Sequence, residues 1–87
     1  MIDTQYKVKR HIAVFSEETE EWVKDYDLSR FNLTEFQKAY SIIDINNPMF
    51  DCYPITESNK GFIETYIDCK LKWNFKKYSY FFEATSL

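Results

Sequence analysis

The sequence predicts an α+β domain in the order β-β-α-α-β, with a small antiparallel or mixed three-stranded sheet and two helices packed on one face. Three observations lead there. Apolar residues alternate with period two near both ends of the chain, and they recur at spacings of three and four in between. One Gly and two Pro among 87 residues leave no linker or internal repeat, so residues 1–87 form a single domain. Eight Phe, seven Tyr and two Trp supply the large side chains that a core of this size needs, which argues against disorder.

The first strand is expected from Tyr6 to Ser16. Tyr6, Val8, Ile12 and Val14 fall on one side, with Lys7, Lys9 and His11 on the other, and Arg10 interrupts the apolar side. The polar run Ser16–Glu20 reads as a hairpin turn. A second strand follows in which Trp22, Tyr26 and Leu28 alternate with Val23, Asp25 and Asp27. Asn32 and Thr34, each followed three residues later by Glu35 or Gln37, form two overlapping capping boxes. Phe36, Ala39, Tyr40 and Ile43 then make the buried stripe of a helix that Asn46-Asn47-Pro48 ends. The apolar run Met49–Ile55, bounded by Pro48 and Pro54, is expected to pack as an irregular lid. Thr56 is placed to cap a second helix with the stripe Phe62, Ile63, Tyr66 and Ile67, which Gly61 weakens by roughly 1 kcal/mol. Tyr78, Tyr80, Phe82 and Ala84 alternate with Ser79, Phe81 and Glu83 as the closing strand.

Composition narrows the function. A formal net charge of −3 argues against nucleic-acid binding through overall charge. Cys52 and Cys69 make no disulfide framework and read as buried reduced thiols, and a single His leaves no ligand set for structural zinc. The opening MIDTQYKVKRH lacks the apolar core of a signal peptide, and no uncharged apolar run approaches the ~18 residues of a membrane span. The expected location is the cytoplasm, with no membrane anchor.

Catalysis is not expected. His11 is the only imidazole able to activate a hydroxyl or thiol, and its place in a period-two strand beside Lys7 and Lys9 predicts exposure to solvent. One Gly cannot build a phosphate-cradling loop, so no nucleotide cofactor is called for. Two charged stretches remain. Between Glu17 and Asp27, six carboxylates (Glu17, Glu18, Glu20, Glu21, Asp25 and Asp27) face one lysine. They read either as a solvated hairpin or as a docking surface for a basic protein. In Lys70–Lys77, four Lys interleave with Leu71, Trp73 and Phe75, which read either as a core-facing stripe or as a single-strand nucleic-acid surface.

Three segments carry a family resemblance: Phe15–Glu21 at the turn, Asn47-Pro48-Met49-Phe50-Asp51-Cys52-Tyr53-Pro54-Ile55 between the helices, and Tyr78–Ala84 at the end. Together they resemble a family of small bacterial domains without assigned activity, often encoded beside polymorphic or contact-dependent growth-inhibition toxins. The resemblance implies a cytoplasmic immunity protein, without catalytic residues or cofactor, that binds and neutralises one cognate toxin domain. That partner would be a basic protein such as a nuclease, blocked at its active site or an adjacent surface. On that reading the acidic hairpin steers association, and Phe15, Trp22 and Tyr53 are the aromatic anchors wherever they are exposed. The alternatives are a small nucleic-acid-binding module using Lys70–Lys77 and a structural dimerisation domain that self-associates through its sheet.

Overall fold

The computed structural model describes residues 8–68 and 70–86. Its elements are β1 (Val8–Ser16), β2 (Trp22–Asp27), α1 (Leu33–Ala39), β3 (Tyr53–Ile55), α2 (Lys60–Glu64) and β4 (Tyr78–Ser86). The fold is α+β, as expected, but the sheet has four strands rather than three. They are antiparallel throughout, in the order β2-β1-β4-β3. The added strand is part of the run read as an irregular lid. Pro54 lacks the N–H that a central strand requires, and the sheet accommodates it by placing β3 at the edge, opposite Phe81.

The alternation in β1 and β4 sets the two faces. Ile12, Val14, Tyr80 and Phe82 point to one side and form the core with Leu33 and Phe36 of α1, Met49, Ile55, and Ile63, Ile67 and Leu71. Phe36 is the hub. Its ring centroid lies 4.6 Å from that of Phe82 and 4.9 Å from those of Phe62 and Tyr66, so both helices pack on the same sheet face. The strand residues Tyr6 and Lys7 lie outside the described residues, as does Cys69.

Both helices are shorter than the periodicity suggests. The Asn32 side chain, not that of Thr34, caps α1 by accepting from the Glu35 amide. The helix stops at Tyr40 instead of running to Asn46. Ser41 takes a φ of 55°, the Ile42 amide bonds back to the Gln37 carbonyl and the Ser41 amide to that of Lys38. These are the bonds of a Schellman ending, made with serine where glycine is usual, so no glycine announces it in the sequence. Ile43, expected in the buried stripe, is 96% exposed. In α2 the cap position falls to Asn59, which makes no side-chain cap bond, while the Thr56 hydroxyl turns to Ser58.

Two buried polar side chains pin the loop between α1 and β3. The Gln37 amide group donates to the carbonyls of Ile45 and Asn47. Arg10, the residue that interrupts the apolar side of β1, is 5% exposed. Its guanidinium donates to the carbonyls of Met49 (2.7 Å) and Pro48 (2.9 Å). It also lies 4.3 Å from the Phe31 ring centroid, with Phe50 and Phe82 within 6 Å.

The segment Lys70–Lys77 is irregular, and its rings turn inward. Trp73 and Phe75 stack nearly parallel at 5.6 Å and both meet Tyr80 edge-on, whereas the lysines are exposed. Among the described residues, the buried Trp73 indole N–H has no hydrogen-bond partner.

Two substitutions test this account. Replacing Arg10 by Met leaves the buried Met49 carbonyl and the partly buried Pro48 carbonyl without their donor and is expected to cost about 3 kcal/mol in urea unfolding. Gly61 has a negative φ, and a Cβ there would meet nothing within 4 Å. Gly61→Ala is therefore expected to raise the unfolding midpoint, by about 0.5–1 kcal/mol of stability.

Candidate functional site

The sheet face opposite the helices carries the candidate site, and the β1–β2 hairpin forms one end of it. The Ser16 hydroxyl accepts from the amides of Glu18 and Thr19, and the Thr19 hydroxyl accepts from Glu21. These side-chain oxygens take up the amide donors that a five-residue turn cannot pair internally. Glu20 closes the turn at a φ of 62°. The turn thereby holds Glu18, Glu20 and Glu21 in solvent, and among the described residues none of the three carboxylates has an ion-pair partner.

The other three carboxylates of the acidic run are engaged within the fold. Glu17 accepts from the Ser79 hydroxyl, and its amide bonds to the Lys77 carbonyl, which ties the hairpin to the start of β4. Asp25 accepts from the Trp22 indole at 2.9 Å and lies 3.9 Å from the His11 imidazole. Asp27 pairs with Lys9 at 3.1 Å.

A register shift between Val14 and Phe15 places Trp22 opposite Phe15. A regular strand would have kept Trp22 on the side of Tyr26; the bulge moves it to the outer face, 59% exposed beside Asp25. Phe15 is half-buried against Phe81, with ring centroids 5.8 Å apart and planes at 79°. Tyr53 does not join them. It lies on the core side, packed on Tyr40 and Phe82.

Phe15 and Phe81 floor a shallow groove of about 390 Å³, lined also by Ser16, Glu17, Glu20, Cys52, Ser79 and Glu83. Cys52 was expected to be buried, but edge strand β3 begins one residue later and leaves it exposed. Its thiol donates to one Glu83 oxygen at 2.8 Å, and the other Glu83 oxygen lies 3.4 Å from His11 Nε2. His11, expected in solvent, is 6% exposed, because β1 is a central strand and Asp27 and Glu83 flank the imidazole in register.

A thiol, a carboxylate and an imidazole in one row invite comparison with a nucleophilic triad, but the order opposes that chemistry. The carboxylate stands between the other two, so the thiol faces a negative charge rather than the imidazole or a cation. Desolvation, the hydrogen bond to Glu83, and the charges of Glu83 and Asp51 push the Cys52 thiol up to about 11. At neutral pH it is a neutral donor. Among the described residues no group of three or more His, Cys, Asp or Glu side chains could hold a metal ion, and no helix is long and apolar enough to cross a membrane.

The groove uses residues from both ends of the chain, and the same span carries a family match. This chain belongs to the DUF7683 family, a domain of unknown function, which it matches over residues 9–83. That span runs from β1 to the Glu83 that closes the groove, so it takes in all or most of every element of the fold. No curated protein and no solved structure matches the chain.

The structure thus gathers Phe15, Glu17, Glu20, Trp22 and Asp25 on one face, with Glu18 and Glu21 at the hairpin tip, and separates Tyr53 from them. Sequence reasoning missed Cys52, Ser79, Phe81 and Glu83 as a group. Alternation alone placed Ser79, Phe81 and Glu83 together, but nothing in it showed that β3 would bring Cys52 alongside.

The thiol chemistry can be checked directly. In a Cys69→Ser background, the pH profile of Cys52 alkylation is expected to have its midpoint near 11, since only the thiolate reacts. Glu83→Gln removes the charge facing the thiol while desolvation remains, and is expected to move that midpoint down by part of its rise, with faster alkylation at neutral pH.

Proposed function

We propose that this domain is an immunity protein, a non-catalytic cytoplasmic inhibitor that binds one cognate toxin domain, a basic protein such as a nuclease, and neutralises it. The observation that carries the reading is the hairpin tip. Glu18, Glu20 and Glu21 stand in solvent without an ion-pair partner among the described residues, next to an exposed Trp22. Unpaired like charges held together cost folding stability and are useful chiefly toward an opposite charge. The resemblance of the Phe15–Glu21, Asn47–Ile55 and Tyr78–Ala84 segments to toxin-associated immunity domains supports the same reading.

Mechanistically, inhibition is by occupancy. A nuclease presents a cationic cleft to a polyanion, and an acidic hairpin competes for the same field, raising the association rate and making it salt-dependent. Trp22 and Phe15 supply apolar contact next to those charges, and Tyr53 is left to the core. The two alternatives draw less support. The rings of Lys70–Lys77 stack on each other and meet Tyr80 edge-on instead of offering faces to bases, and a second copy of the acidic β2 edge would meet its own charge.

The test is co-expression with the toxin-like product of a neighbouring reading frame. The chain is expected to restore growth and to bind that product at submicromolar concentration. The triple variant Glu18→Lys, Glu20→Lys, Glu21→Lys is expected to fold normally and to associate at least about tenfold more slowly at low salt, with much of the salt dependence gone. Growth arrest unrelieved by the wild-type chain would refute the reading.

A further inference from the structure

We propose that the groove over Phe15 and Phe81 is a socket for one arginine side chain of a protein partner. The proposal rests on the inhibitor reading only for which protein brings that arginine.

The lining is apolar at the floor and anionic at the rim. Phe15 and Phe81 form the floor, Glu17 and Glu20 stand at the hairpin end, Glu83 stands at the other, and among the described residues no Lys or Arg lines it. The cavity of about 390 Å³ falls within the ordinary range of small-ligand sites. An aliphatic stem with a cationic head complements such a surface, the stem over the rings and the head at the carboxylates.

Two of the carboxylates are held in position by neutral donors. The Ser79 hydroxyl bonds to Glu17 and the Cys52 thiol to Glu83, so both are oriented without being neutralised. His11 reaches the far oxygen of Glu83 but is shared with Asp25, and it is buried beneath the face rather than in the groove lining. Each carboxylate keeps lone pairs for an incoming donor. Orientation before binding removes the cost of ordering long acidic side chains when the partner arrives.

A guanidinium fits this lining better than an ammonium. It stacks flat on an aromatic ring and donates in a fixed fork, so one head can lie on Phe81 and bond to Glu83 at once. An ammonium is a strongly hydrated point charge that gains less from an apolar floor.

The experiment titrates the isotope-labelled full chain at low salt with a blocked Gly-Ser-Arg-Ser-Gly peptide, its citrulline analogue and its lysine analogue, followed by NMR. Saturable shifts are expected at the amides of Phe15, Ser79, Phe81 and Glu83 with the arginine peptide. The citrulline peptide should bind at least about fivefold more weakly and the lysine peptide about threefold. Glu83→Gln and Phe81→Leu, each retaining the dispersed spectrum of the folded chain, should weaken the arginine peptide about threefold or more. Absent shifts, shifts confined to the hairpin tip, or equal binding of the three peptides would overturn the socket. No toxin enters this measurement, so its failure is distinct from a failure of the growth test, which bears on the inhibitor reading alone.

Discussion

The guanidinium of Arg10 holds the two halves of this fold together. It sits on the core side of the central strand, where an apolar residue is the ordinary choice, and donates to the carbonyls of Pro48 and Met49 while lying against Phe31, Phe50 and Phe82. A buried cation is tolerable only when its donors find acceptors and rings compensate for lost water. The consequence reaches the outer surface. Once Pro48 and Met49 are anchored to β1, the following residues run along the free edge of β4, which brings β3 into the sheet and Cys52 beside Glu83.

The sheet separates two kinds of work. Its inner face is filled by rings centred on Phe36 and Phe82 and is committed to stability, which a domain of this length obtains largely from aromatic burial. Its outer face has no helix on it. There the side chains are Phe15, Phe81, Trp22 and a set of carboxylates, some oriented by hydroxyl, thiol or indole donors and others left in solvent. A surface that mixes apolar and anionic groups is complementary to one that is apolar and cationic.

The chemistry of Cys52 illustrates why residue types alone mislead. Cysteine, glutamate and histidine in one row carry the ingredients of nucleophilic catalysis, yet desolvation and the carboxylate in the middle keep the thiol protonated. In the arrangement observed, that thiol serves as a hydrogen-bond donor that fixes a negative charge. Placement, and not inventory, decides what such groups do.

Strand alternation made the two long strands, their core faces and the β1–β2 hairpin legible, because the side-chain period of two is a local property and Ile12, Val14, Tyr80 and Phe82 obey it. The inward packing of Leu71, Trp73 and Phe75 was legible on similar grounds, as was the acidic tip. Three features needed the tertiary structure. The bulge that moves Trp22 depends on how β2 meets β1, the burial of His11 depends on its strand being central, and β3 follows a loop that Arg10 clamps at Pro48, 38 positions away in sequence. The early end of α1 escaped notice because Ser41, and not glycine, adopts the left-handed turn. Local periodicity determined which residues face inward along β1 and β4. Only long-range contacts decided which of them came together, since the energy of bringing distant segments side by side is absent from any short window of sequence.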